Sequence, residues 1–200
     1  MGKVPQSSTM VFLDTETTGL DPKRHEVWEV GAIVRKDHDP VTDREHRWFL
    51  PVDLTKADSI ALSIGRYHER HPWGYVYDAT KQPKLPPPLF YSVTSKDSFA
   101  KDFAWMTYGA TLVGAVISFD EERLRKLLLS QGQLPAWHYH LIEIESYAAG
   151  RLGKEPPFSS YDLYRDLGLN PDDYEQHTAL GDARMVRDVY DVVHTMSEPI

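Results

Sequence analysis

The chain has 200 residues, a formal net charge of −8 and no cysteine. That length fits one domain, residues 1–200, able to bury a full core without staples. The missing thiols exclude disulfides, thiolate zinc sites and a cysteine nucleophile, and the negative balance argues against a bulk electrostatic binder of nucleic acid. No apolar run approaches the roughly 20 residues of a membrane span. The opening MGKVPQSSTM lacks the apolar core of a signal peptide, and SEPI closes the chain with no tail. A soluble, intracellular, cytoplasmic protein is expected, without a polymerase-binding extension.

Met10 to Leu13 is an apolar run of strand length, followed by a turn around Gly19. VWEVGAIV (27–34) is β-branched and apolar and reads as a second strand. REHRWFL (44–50) reads as a third, with Trp48 and Leu50 on one face; three strands in succession suggest an antiparallel meander. Ile60, Ile64 and Tyr67 then fall at helical spacing behind Asp58, a plausible N-cap. Residues 73–93 hold prolines at 83, 86, 87 and 88 and no periodicity, which marks a loop insertion. Six Lys/Arg against three Asp/Glu make residues 66–101 net positive within an acidic chain. Tyr67, Trp73, Tyr75, Tyr77, Phe90, Tyr91 and Phe99 lie among those charges. Such interleaving suits single-stranded nucleic acid, where bases stack and phosphates need cations; an ordered loop pinned by its aromatics reads the same way.

Phe99, Phe103 and Met106 mark the next helix, ending near Gly109. TLVGAVI (111–117) is a fourth strand. SFDEERLRKLLLSQG follows as a helix opened by a Ser118/Glu121 capping box. HYHLIEI (138–144) is a candidate fifth strand, SYAAGRL and SSYDLYRDLG are short helices, the second closed by Gly168, and HTALGDARMVRDVYDVVHTM is the last helix. On it Ala179, Ala183, Val186, Tyr190 and Val193 form one stripe. The order is βββ-α-β-α-β-α, without internal repeats.

The acids then fall in a pattern. Asp14 and Glu16 leave the end of the first strand with one residue between them, so both point the same way. Two adjacent anions repel and are costly to desolvate, a cost that a hard divalent cation with oxygen ligands removes. A strand end with two solvated acids gives the same D-x-E pair. Asp120 stands at the head of the Leu124/Leu128 apolar stripe, where an acid needs a partner. Asp182 borders the buried stripe of the last helix. His177 precedes that helix, in the loop before a Thr178 cap, where it can point to the side of Asp182. A histidine beside a metal site suits taking a proton from water.

These residues resemble the motifs of the DnaQ-like 3′–5′ exonucleases of the DEDDh type. FLDTETTG matches the first motif with Asp14 and Glu16, the F-D of VGAVISFDEERL resembles the second with Asp120, and HTALGD matches H-x-A-x-x-D with His177, Ala179 and Asp182. The resemblance spans residues 10–195. It implies an α/β, ribonuclease H-like fold: a mixed sheet of about five strands, three antiparallel and then parallel additions, flanked by helices. It also implies a two-metal phosphodiester hydrolase acting on single-stranded nucleic acid 3′ ends, DNA or RNA, and releasing nucleoside 5′-monophosphates. Asp14, Glu16 and Asp182 would hold one Mg²⁺ or Mn²⁺; Asp14 would share a second with Asp120. His177 would be the base, and Thr17, Thr18, Gly19, Leu20 and Phe119 would sit against the last nucleotide. Ala115 and Val116 stand where the family often has His and Asn, a departure that removes a contact to the terminal nucleotide. Glu145-Ser146 stand for its D-T.

Two other readings share some of these features. A haloacid-dehalogenase-like phosphatase also places D-x-D-x-T at a strand end, although the third position here is Glu. A non-catalytic nucleic-acid binding module would require decayed ligands, and all four acids and the histidine are present.

Overall fold

The structure is a computed structural model that describes residues 8–74 and 92–196. Its centre is a five-stranded sheet. β1 (Met10–Thr17), β2 (Val27–Arg35) and β3 (Arg44–Phe49) form the expected antiparallel meander. β4 (Thr111–Gly114) adds to the other side of β1 in parallel, and β5 (Ile142–Glu143) adds in parallel to β4, giving the order β3-β2-β1-β4-β5. β1 thus lies at the boundary between the antiparallel and parallel halves.

Alternation along β1 divides the core. Val11 and Leu13 face one layer, built on Phe99 and Phe103 of α3 (Lys96–Met106) and Leu124 and Leu128 of α4 (Ile117–Ser130). Met10 and Phe12 face the other. That layer is built on Ile144 and Ala148 of α5 (Ile144–Arg151), Leu163 and Tyr164 of α6 (Ser160–Asp166), and the apolar stripe of α7 (Ala179–Thr195). All five stripe residues expected on α7 are buried. Trp48 and Leu50 pack on the α3/α4 side as expected, while Phe49 between them joins Trp28, Leu62 and Tyr67 in a third cluster. Gly168, at φ +79°, ends α6 as expected: Gly168 N donates to Arg165 O and Leu169 N to Tyr164 O, closing the last turn. Among the described residues no helix is long and apolar enough to cross a membrane.

Several expectations differ from the structure, each for a local reason. Asp58 does cap a helix, accepting from Ile60 N at 2.7 Å, but the helix is short. α1 (Ser59–Ile64) stops at Gly65, Arg66 turns left-handed at φ +51°, and α2 (Tyr67–Arg70) follows. That break buries Leu62 and leaves Ile60 and Ile64 exposed, so the Ile60/Ile64/Tyr67 stripe does not form. β4 ends at Gly114 because Val116 takes φ +52° and starts α4 at Ile117, one residue early. Ser118 therefore makes no cap; Glu121 instead accepts from Arg125 and from Trp137 Nε1. β5 is two residues, not seven.

Within 66–101, Tyr67 and Phe99 are core residues, and Arg70, Lys96 and Lys101 pair with Glu29, Glu26 and Asp97. Of these, Tyr67 and Phe99 are buried and Arg70 nearly so, while the Lys101–Asp97 pair lies on the surface of α3; only Trp73 of the described aromatics there is exposed. The insertion at 73–93 lies mostly outside the described residues.

Candidate metal centre

Asp14 and Glu16 continue the Met10/Phe12 face of β1, so both carboxylates enter the layer beneath α7. β2 brings α7 to them. Gly31 stands opposite Asp14 in the β1–β2 register. A Cβ on Gly31 would lie 2.3 Å from the backbone of Ala179, so the missing side chain is what lets the first turn of α7 rest on the sheet. Thr178 caps that turn, accepting from Gly181 N at 3.1 Å and donating to Glu175 O at 2.7 Å. Asp182 falls in the same first turn. As a result one carboxylate oxygen each from Asp14, Glu16 and Asp182 lie within 4.8 Å of one another, all three groups half-buried.

Asp120 approaches from the other layer. β4 pairs with β1 only along Met10–Phe12, so past Phe12 that edge of β1 is free of a neighbouring strand. There Asp120, 2 % exposed in the first turn of α4, accepts a 2.6 Å hydrogen bond from Thr15 Oγ1.

The crowding is visible in the acidities. Burial pushes the Asp14 carboxyl well above the usual range, and Asp120, Asp182 and Glu16 push it further. Burial raises Glu16 to about 8 against the opposing pull of Arg70. Asp120 rises to about 7 by burial, opposed by the Thr15 hydrogen bond. Asp182 rises to about 6 by burial, opposed by the backbone N–H of His177. Four acids in this state are short of positive charge, and protons or hard cations are what can supply it. The donor set is all carboxylate oxygen, which suits Mg²⁺ or Mn²⁺ over thiophilic metals. By charge and ligand type the residues fit such a cation.

His177 is exposed and left-handed at φ +56°. Its backbone N–H meets the Asp182 carboxylate and its carbonyl accepts from Arg70 Nη1. The turn after β1 is well anchored. Thr17 and Thr18 are buried; Thr17 O accepts from Trp28 Nε1 at 3.2 Å, and Thr18 O from Asp58 N at 2.8 Å. Gly19 has φ +149°, and a Cβ there would meet the His25 ring at 2.4 Å. Leu20 projects from this turn, 77 % exposed. Phe119 is half-buried under the Arg123 guanidinium, which stands 3.3 Å from its ring centroid; Arg123 also donates to the Leu20 and Phe119 carbonyls.

Sequence reasoning missed a buried charge group beside the acids. The regular β1–β2 register, before it shifts between Glu16 and Thr17, sets Glu29 opposite Glu16 on β2, 0 % exposed. Glu29 accepts from Arg47 at 2.7 Å and from Arg70 Nη2. Arg70 Nη1 also donates to Gly65 O at 2.6 Å and stands 3.7 Å from Glu16 Oε1, with the guanidinium 5.1 Å from the Trp28 ring centroid. A lone Glu inside VWEVGAIV was a visible signal; Arg70, 41 residues away, carried none. Beside Glu145-Ser146, Glu143 at the end of β5 caps α5 by accepting from Glu145 N and Ser146 N, and it accepts from the N–H of Val116 at 3.2 Å.

No protein-family model matches the chain. It is 25% identical over 186 residues to the DNA polymerase III PolC-type of Thermotoga petrophila, a match covering 92% of this chain and 12% of that protein. Among solved structures it is similar to a product-bound exonuclease I (TM-score 0.65, 17% identity, 95% of this chain and 44% of that one). It is also similar to E. coli exonuclease I in complex with a dA16 oligonucleotide (TM-score 0.66, 17% identity, 95% and 41%). A zinc-bound E. coli exonuclease I complex with single-stranded DNA aligns with a TM-score of 0.66, at 15% identity over 95% and 41%. The chain spans less than half the length of each of these proteins. With this strand order and this division of helices, the chain has the mixed-sheet, ribonuclease H-like fold that it shares with exonuclease I.

Proposed function

We propose that the protein is a metal-dependent 3′–5′ exonuclease that removes nucleoside 5′-monophosphates from single-stranded DNA or RNA. The observation that carries this reading is the convergence of Asp14, Glu16 and Asp182, with oxygens within 4.8 Å. The fold shared with exonuclease I, described with single-stranded oligonucleotides and in one case a zinc ion, supports it.

Asp14, Glu16 and Asp182 would hold one Mg²⁺ or Mn²⁺, and Asp14 with Asp120 a second. Bound there, the cations supply Lewis-acid stabilisation of the attacking and leaving oxygens. The chain's own groups do the rest. Thr15 fixes the Asp120 carboxylate. His177, exposed in the turn ahead of α7, would take the proton from the attacking water. Leu20 wedges against the last base, with Thr17, Thr18 and Gly19 giving a rigid backbone edge. Phe119, backed by Arg123, closes the other side of the nucleotide. Val116, exposed at the mouth of α4, offers no polar side chain to that nucleotide, so its placement falls to the turn after β1.

The test is a gel assay of 5′-labelled single-stranded DNA and RNA with Mg²⁺, Mn²⁺ or chelator. Metal-dependent shortening from the 3′ end, with nucleoside 5′-monophosphates as product, is expected. Inorganic phosphate released from small phosphomonoesters would instead favour the phosphatase, and metal-independent binding without shortening the non-catalytic module.

A further inference from the structure

Arg70 is the feature near the acids that the mechanism leaves unused. Its side chain is 10% exposed, and it reaches three separate pieces of the chain. It donates to Gly65 O on its own segment, to Glu29 on β2 and to His177 O ahead of α7, and it borders Glu16. The face of Trp28 backs it. Nη1 donates to both carbonyls and Nη2 to Glu29, so two nitrogens of one planar fork tie three segments together, a span that the single nitrogen of an ammonium does not have.

The contact to His177 is the one with consequence. A histidine at φ +56° is uncommon and persists only where the surroundings hold it. Two groups do so: the Asp182 carboxylate accepts from its N–H, and Arg70 Nη1 donates to its carbonyl. The peptide unit on each side of the Cα is therefore pinned, and with it the direction of the Cα–Cβ bond that carries the imidazole.

We propose that Arg70 is a positioning residue: its fork staples the His177 carbonyl to the buried Glu29 and so holds the imidazole in register with the acid cluster. The kinetic part of this rests on the nuclease reading; the staple itself does not. Arg70 here acts through His177, and its positive charge is secondary to its shape.

Arg70→Lys separates shape from charge. In the full chain with Mn²⁺ and a labelled single-stranded DNA, kcat is expected to fall about 10²-fold, the scale on which a small misplacement of a reacting group acts. KM and the Mn²⁺ dissociation constant, measured by calorimetry without substrate, are expected to stay near wild type. Amide exchange in residues 176–182 is expected to quicken while β1 and β2 stay protected. Should Arg70→Lys fold poorly, the double variant Arg70→Met with Glu29→Gln removes both buried partners together and is expected to show the same split. Wild-type kcat and exchange in Arg70→Lys would overturn the proposal. So would a loss of kcat with exchange unchanged, because Arg70 would then act on the substrate directly. A wild-type protein that cuts nothing, with exchange still quickened in the variant, would sink the nuclease reading and leave the staple standing.

Discussion

At the scale of single residues, the centre is defined by excess negative charge in a small space. Asp14, Glu16 and Asp182 bring three oxygens within 4.8 Å, and Asp120 adds a fourth acid from behind. Asp182→Asn keeps the shape and removes a charge. We expect it to lose Mn²⁺ affinity and nuclease activity while the circular dichroism of the fold is kept; turnover near wild type would reject Asp182 as a ligand. His177→Ala tests the base. Loss of a positioned base costs about 10²–10⁴-fold, and the deficit is expected to shrink at alkaline pH, where hydroxide replaces the missing acceptor. A deficit that is constant across pH would remove His177 from that role.

At the scale of elements, the site depends on how closely α7 approaches β2. Gly31→Ala places a methyl 2.3 Å from the Ala179 backbone, and backbone cannot swing aside. Over-packing of this kind costs about 1–3 kcal/mol, and the shift it forces moves Asp182 away from Asp14. Thermal denaturation together with Mn²⁺ titration should show both losses; an unchanged melting temperature would mean that α7 is not seated on Gly31.

Elements with a strong period or a specific punctuating residue were legible in the sequence. The three meander strands, the α7 stripe, the Thr178 and Asp58 caps and the Gly168 stop all follow from local chemistry. Two of the non-glycine left-handed residues, Arg66 and Val116, were not legible, because nothing about Arg or Val signals φ near +50°. Each cut an element short: α1 at Gly65, β4 at Gly114. The four acids and His177 were visible as motifs, whereas Glu29, Arg47 and Arg70 were not. Charges buried as a group are paired by tertiary distance, and no sequence period records that.

At the scale of the whole molecule, the acid cluster opposes the stability of the metal-free fold. Glu16, Asp120 and Asp182 hold protons up to about 8, 7 and 6, whereas unfolded carboxylates release theirs near about 4. Between those limits the folded state binds more protons than the unfolded one, so stability falls as pH rises from about 4 towards 8. In chelator the melting temperature is expected to be lower at pH 8 than at pH 5.5. Divalent cation at 100 times its dissociation constant adds about 2.7 kcal/mol, or roughly 5–10 °C at about 2–4 °C per kcal/mol for a chain of this size. A melting temperature in chelator that rises over that interval, or that ignores Mn²⁺, would contradict the crowding. Glu16→Gln, which removes one of the repelling charges, is expected to raise the metal-free melting temperature at pH 8.

The seat of α7 on Gly31 also governs when the centre can exist. Asp14 is made before Asp182, and between them the ribosome must deliver the other four strands of the sheet and six helices of the described residues. A chain stalled before Ala179 has no third carboxylate to bring to β1. The acid cluster is therefore contingent on α7: until that helix has emerged and docked, β1 carries only two of the three carboxylates.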